Sequence, residues 1–144
     1  MAGVYWTEAN LDSYVRTVVY LKPDILIIKD DLKSNIKSKF KIHWTTPSGT
    51  KKINNKKALF LNDDVCMRMD CFPLDRIKTE VNVSKRYYKD IRMPRHYSHC
   101  CLSNSVKSKT FNVISVISLS DEINKKFIVK NKSSTIEIDD GNQN

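Results

Sequence analysis

The stretch SKRYYKDIRMPRHYSHCC, residues 84–101, carries the densest chemistry in the chain. Lys85, Arg86, Lys89, Arg92 and Arg95 are interleaved there with Tyr87, Tyr88, His96 and Tyr97. Guanidinium groups grip carboxylates and sulfates through paired hydrogen bonds. Tyrosine rings stack on flat sugar faces or on nucleobases. The pattern suits an acidic polysaccharide, and equally a single-stranded nucleic acid. The competing reading is a solvated loop with its tyrosines rooted in the core, because charge runs usually face water. Arg86, Tyr87, Tyr88, Arg92 and Arg95 are the expected substrate contacts.

Other reactive side chains are less suggestive. His96 and His99 sit near Cys100 and Cys101, but ligands on one strand need even spacing to share a face, and His96 and His99 are three apart. His43 lacks a visible partner for general-base work. Asp30–Asp31 and Asp63–Asp64 could in principle act as acid pairs, yet both lie at strand ends, where aspartate is ordinary turn chemistry. Arg16 is expected to pair with Asp30 or Asp31 across a hairpin. Cys66, Cys71, Cys100 and Cys101 match no zinc spacing. They read as free, small apolar side chains, with one disulfide from Cys66 or Cys71 to the 100–101 pair left open. No catalytic residue, metal or cofactor is therefore assigned to this chain.

The elements that must position these groups are strands. In RTVVYLKPDILIIKDDLKS (16–34), Pro23 breaks a helix, and the Val and Ile runs favour a pleated backbone. Lys22 and Asp24 interrupt the apolar run far short of the 20 or so residues that span a membrane as a helix. KFKIHWTT alternates, with Phe40, Ile42 and Trp44 on one face, as a half-buried strand does. TPSGT (46–50) reads as a turn. KKALFLNDDVCMRMDCF reads as two strands around Asn62–Asp63–Asp64, and TEVNVS (79–84) as a short strand followed by a loop over 85–96. Residues 97–103 and 110–119 read as long strands, the latter apolar on both faces and hence central. A last hairpin turns at 131–133, and 139–144 is a polar tail expected to fray. The expected fold is all-β, an antiparallel β-sandwich of roughly ten strands in one domain spanning 1–144.

The 144 residues suffice for one core. Three glycines leave no material for a glycine-rich phosphate loop. The formal net charge of +9 favours an acidic partner or, more simply, keeps a β-rich protein soluble and its edges protected. Residues 1–15 contain Glu8 and Asp12 and no apolar block, so no signal peptide is read there.

With these elements in place, YVRTVVYLKPDILIIKDDLKS followed by KFKIHWTTP resembles the C-terminal β-sheet domain of heparinase II/III-like polysaccharide lyases. The matching features are Arg16, Pro23–Asp24, Asp30 or Asp31, and His43–Trp44. ALFLNDDVCMRMDCFP, the Ser84 and Tyr87 or Tyr88 of VSKRYYKD, and KTFNVISVISL extend the likeness over most of 4–120. The resemblance implies a parent protein with a helical toroid joined to a β-sandwich, periplasmic or secreted, with a cytoplasmic alternative. Such proteins cleave uronic-acid-containing polysaccharides, glycosaminoglycans among them, by β-elimination. A base takes the proton α to the carboxyl group, and an acid protonates the leaving oxygen. The family's catalytic Asn, His and Tyr and its zinc ligands have no counterpart here, so this chain alone is expected not to be catalytic. Its implied role is to buttress the toroid and help bind acidic glycan. Two alternatives stand beside it. One is a stand-alone carbohydrate-binding or protein-interaction module. The other is a non-specific polyanion or nucleic-acid binder, although no recognition helix, finger or RNA-binding signature is present. No membrane partner is expected. A bare edge strand would permit a homodimer.

Overall fold

A computed structural model describes residues 11–46, 49–62, 65–88, 95–119, 128–132 and 135–139. These form β1 (Leu11–Leu21), β2 (Ile25–Ser38), β3 (Lys41–Thr46), β4 (Gly49–Asn54), β5 (Lys57–Asn62), β6 (Val65–Pro73), β7 (Thr79–Tyr88), β8 (Arg95–Asn104), β9 (Ser108–Leu119), β10 (Ile128–Lys132) and β11 (Thr135–Asp139). All pairings are antiparallel. The large sheet has the order β1-β2-β9-β6-β5-β4, the small sheet β3-β8-β7, and β10-β11 form a separate hairpin. The expected all-β sandwich is the observed class.

The first hairpin turns at 22–24, and Val18 pairs with Ile28 and Arg16 with Asp30. The doubly apolar β9 lies between β2 and β6, at the centre of the large sheet. Two stretches of the large sheet depart from the expectation. Asp30–Asp31 were expected at a strand end, yet β2 runs through them to Ser38. The segment 46–50 was expected to be a turn, yet β4 begins at Gly49 and pairs with β5, turning at 55–56. Its KKIN run is too polar to announce a strand, and its edge position explains why polar residues are tolerated there.

The two sheets close over one core. Phe40 and Ile42 of the β3 strand region, Val81, Cys100 and Leu102 of the small sheet, and Phe60, Met69, Cys71, Phe111 and Val113 of the large sheet meet in it. Phe40 and Phe111 stack between the sheets with centroids 6.1 Å apart. The centre of the large sheet is also buried on its other face. Ile114 and Val116 are almost wholly buried there, with Ile25, Ile27, Phe72 and Leu74 packed against them. Buried Asn104 ties the sheets together. Its Oδ1 accepts from the Phe40 amide (2.7 Å), and its Nδ2 donates to the carbonyls of Ser38 (3.0 Å) and Val106 (2.7 Å) and to Ser108 Oγ (3.0 Å).

Candidate functional site

Strands β7 and β8 carry most of the residues that the sequence singled out as substrate contacts. Val81 and Val83 alternate into the core and hold β7 in register. The strand does not stop at Ser84, and the loop expected over 85–96 is shorter than that. β7 runs to Tyr88, β8 begins at Arg95, and Arg86 pairs with Tyr97, Tyr87 with His96 and Tyr88 with Arg95. Tyrosine is a strong strand former, and facing pairs stabilise a two-strand ladder. That preference outweighed the charge density that suggested a loop. The register thus brings Arg86, Tyr87, Tyr88 and Arg95 to one hairpin end. Arg92 lies outside the described residues.

A polar sheet face leads away from this hairpin. Facing residues across β3 and β8 place His43 opposite Cys101 and Thr45 opposite His99. His43 Nε2 lies 4.0 Å from Cys101 Sγ, and Thr45 Oγ1 lies 3.2 Å from His99 Nδ1. Asn82 and Ser84 on β7 continue the same face, and His43, Thr45, Asn82 and Ser84 are exposed. Such a face offers hydrogen-bond donors and acceptors to a polar ligand. It does not offer an activated nucleophile. Burial pushes the Cys101 thiol up, an effect that outweighs the opposing pull of Lys41, so the sulfur stays protonated. His43 and His99 join no metal-binding group of three or more His, Cys, Asp or Glu among the described residues.

The paired aspartates part company. Asp30 is fully buried on the core side, where Arg16 Nε and Nη2 donate to it at 2.6 and 3.0 Å and the Tyr14 hydroxyl at 2.9 Å. Asp31 lies on the opposite face and pairs with Lys29 at 2.7 Å. They are therefore not an acid pair. Tyr14 is pushed up to about 12, by burial first and then by its bond to Asp30, which makes it a donor and not a base. Burial works against the Arg16 charge, but the bond to Asp30 and its negative charge more than offset this, and the pKa is raised. Arg16–Asp30 is the ion pair expected from sequence. Asp63–Asp64 lies outside the described residues.

A second buried charge group gave no such signal. Arg68 Nε is 2.5 Å from Asp70 Oδ2, and Lys57 Nζ is 2.9 Å from Asp70 Oδ1. Arg68 and Asp70 are two apart on β6, and Asp70 faces Lys57 on β5. The i, i+2 spacing was visible, but only the register supplies the third partner. The four cysteines are free. Cys71 and Cys100 are core residues, each raised to about 12 chiefly by burial.

With this geometry described, known structures sharpen the picture. A heparinase III structure with methylated lysines is similar over 90% of this chain and 22% of its own, with a TM-score of 0.68 at 19% identity. The heparan sulfate lyase HepC from Pedobacter heparinus is similar over 88% of this chain and 20% of its own, with a TM-score of 0.65 at 12% identity. A further heparinase III structure gives a TM-score of 0.60 at 15% identity over 91% of this chain. The fold is thus that of a β-sheet part of these larger chains, and this chain spans about a fifth of their length. No protein-family model and no curated protein sequence matches it.

Proposed function

We propose that this chain is the distal β-sandwich part of a heparinase II/III-like polysaccharide lyase. The parent protein would cleave uronic-acid-containing polysaccharide by β-elimination, outside the cytoplasm. This part would support the helical toroid and help hold the acidic glycan. The observation that carries the reading is the fold match over 90% of the chain to a structure whose name is heparinase III. The +9 charge and the convergence of Arg86, Tyr87, Tyr88 and Arg95 on one hairpin support it. Arg92, between the strands, is assigned to the same contact surface. The arginines would take carboxylate or sulfate, and the tyrosines would stack on sugar rings.

Binding to heparan sulfate, heparin, alginate and single-stranded DNA at low and physiological salt tests the reading. Selective binding of one glycan that persists at physiological salt is the expected result. Equal binding of every polyanion, all lost with salt, would mean generic charge attraction and leave a purely supporting role. No unsaturated-uronate absorbance should appear when this chain alone meets those glycans.

A further inference from the structure

We infer that two copies of this chain join through β1, pairing antiparallel about a two-fold axis at Thr17. This goes beyond the glycan-binding reading and does not rest on it. β1 closes one side of the large sheet, and among the described residues no strand pairs with its other side. Such a strand offers a row of backbone donors and acceptors to another chain, and proteins commonly blunt it with lysines or bulges. β4, at the opposite edge, carries Lys51 and Lys52. β1 has neither device over 13–21. Its bulge is confined to the stretch between Leu11 and Ser13, and Arg16, the one charged residue in 13–21, is held by Asp30.

The side chains of this edge are as open as its backbone. Val15, Val18, Val19, Tyr20 and Leu21 are 44–56% exposed, and alternation places them on both faces of the sheet. Val19 pairs with Ile27 and Leu21 with Ile25. Ile25 and Ile27 pack in turn against Ile114 and Val116. An apolar strip therefore runs from the buried centre of the sheet to its rim and ends there in water. A further strand laid along β1 would remove that surface from water, which is favourable.

The sequence of β1 selects which strand fits. Tyr14-Val15-Arg16-Thr17-Val18-Val19-Tyr20 reads nearly the same in both directions about Thr17. A two-fold interface needs that self-complementarity, because residue i meets j wherever j meets i. Antiparallel pairing centred on Thr17 sets Val15 against Val19, Tyr14 against Tyr20, Arg16 against Val18 and Thr17 against itself. Aromatic pairs and Thr–Thr pairs across strands are stabilising. Beyond the palindrome, exposed Asp12 of each copy meets exposed Lys22 of the other. The neighbouring registers are worse. Centring on Arg16 sets that cation against itself, and centring on Val18 sets Asp12 against Asp24. Pairing over 13–21 buries less than the roughly 1,600 Å² of a standard interface, and the +9 charge of each copy opposes it. The dimer is thus expected to be weak, dissociating at roughly 10 μM.

The test is analytical ultracentrifugation of the whole chain across the micromolar range at physiological salt. A monomer–dimer equilibrium is expected. Val15→Lys/Val19→Lys puts four cations at the seam and should weaken the dimer about tenfold or more. Both positions are exposed, so the thermal midpoint of the dilute monomer should not move. Asp12→Lys or Lys22→Asp alone should weaken the dimer about threefold or more, and the two together should restore it. Asp12 also lies 3.8 Å from Lys33 of its own copy, so the restoration by the double exchange is the readout that reports the register. A chain that stays monomeric at every concentration would overturn the proposal and leave β1 to a strand from another part of a longer parent protein. A dimer indifferent to Val15→Lys/Val19→Lys would overturn it too, since the contact would then lie elsewhere. Growth beyond the dimer would rule out the closed two-fold pair. Failure of the double exchange to restore would overturn the Thr17 register. Each of these results leaves the proposed function where it stood.

Discussion

The two sheets treat water differently. The centre of the large sheet is buried on both faces and holds charge inside itself, with Asp30 on the core side and Asp70 on the other. The small sheet buries one face and turns His43, Thr45, Asn82 and Ser84 outward. Buried charge demands fixed partners, and a side chain so committed is poorly placed to meet a ligand. The large sheet therefore acts as frame. On the proposed function, recognition would fall to the small sheet and its hairpin.

The sharpest way to break this contrast is to strip a charge from the frame. Arg16→Ala leaves the Asp30 carboxylate buried with Tyr14 as its remaining described donor, and should cost about 3–4 kcal/mol in urea unfolding. The double change Arg16→Met/Asp30→Leu should return much of that loss, because both charges leave together. If the single change proves neutral, the pair is not a structural lock.

Asn104 joins the two regions, so its effect comes next. Asn104→Ala orphans the Phe40 amide and the Ser38 and Val106 carbonyls. The expected loss is about 2–3 kcal/mol, read as a lower denaturation midpoint. Unchanged stability would show that water replaces the side chain.

A graded loss should follow at high pH. Cys71 and Cys100 rise from 9.0 to about 12 on folding, and Tyr14 rises from 10.0 to about 12. Their folded values exceed the unfolded ones, so below pH 9 the unfolded chain keeps these protons too, and the contribution is fully present. Above pH 9 for the thiols, and above 10 for the tyrosine, the unfolded chain releases its protons first. Stability then falls until about pH 12. Denaturation midpoints taken between pH 8 and 11 should decline, and Cys100→Ala should flatten the slope. A level profile would contradict the burial of these groups.

The smallest effect belongs to the open face. His43→Ala should change stability by less than about 0.5 kcal/mol, as exposed positions do. A larger loss by thermal unfolding would mean that the small sheet is frame as well.

Much of the fold was legible, and for identifiable reasons. Period-two alternation marked β3 and β6, and the apolar run Phe111–Leu119 marked the central strand. Pro23–Asp24 marked the first turn, and Arg16 with Asp30 fell at facing positions once that turn was placed. Signals were weak where composition opposed conformation. β4 is polar because it is an edge, and Arg86–Tyr88 looked like loop because charge masked strand propensity. Asn104 gave no warning, since a buried asparagine and an exposed one are written alike.

By itself, the sequence determined the strand content, the antiparallel class and the first hairpin, with Arg16 facing Asp30 or Asp31, because these follow from side-chain period and short-range turn chemistry. Tertiary structure alone decided which of Asp30 and Asp31 meets Arg16 in the core, and that Lys57 completes the Arg68–Asp70 group. It also gathered Asn104 with the Phe40 amide and the Ser38 and Val106 carbonyls. Those residues are joined by strand register and by the packing of separate turns, contacts between distant parts of the chain that no local pattern encodes.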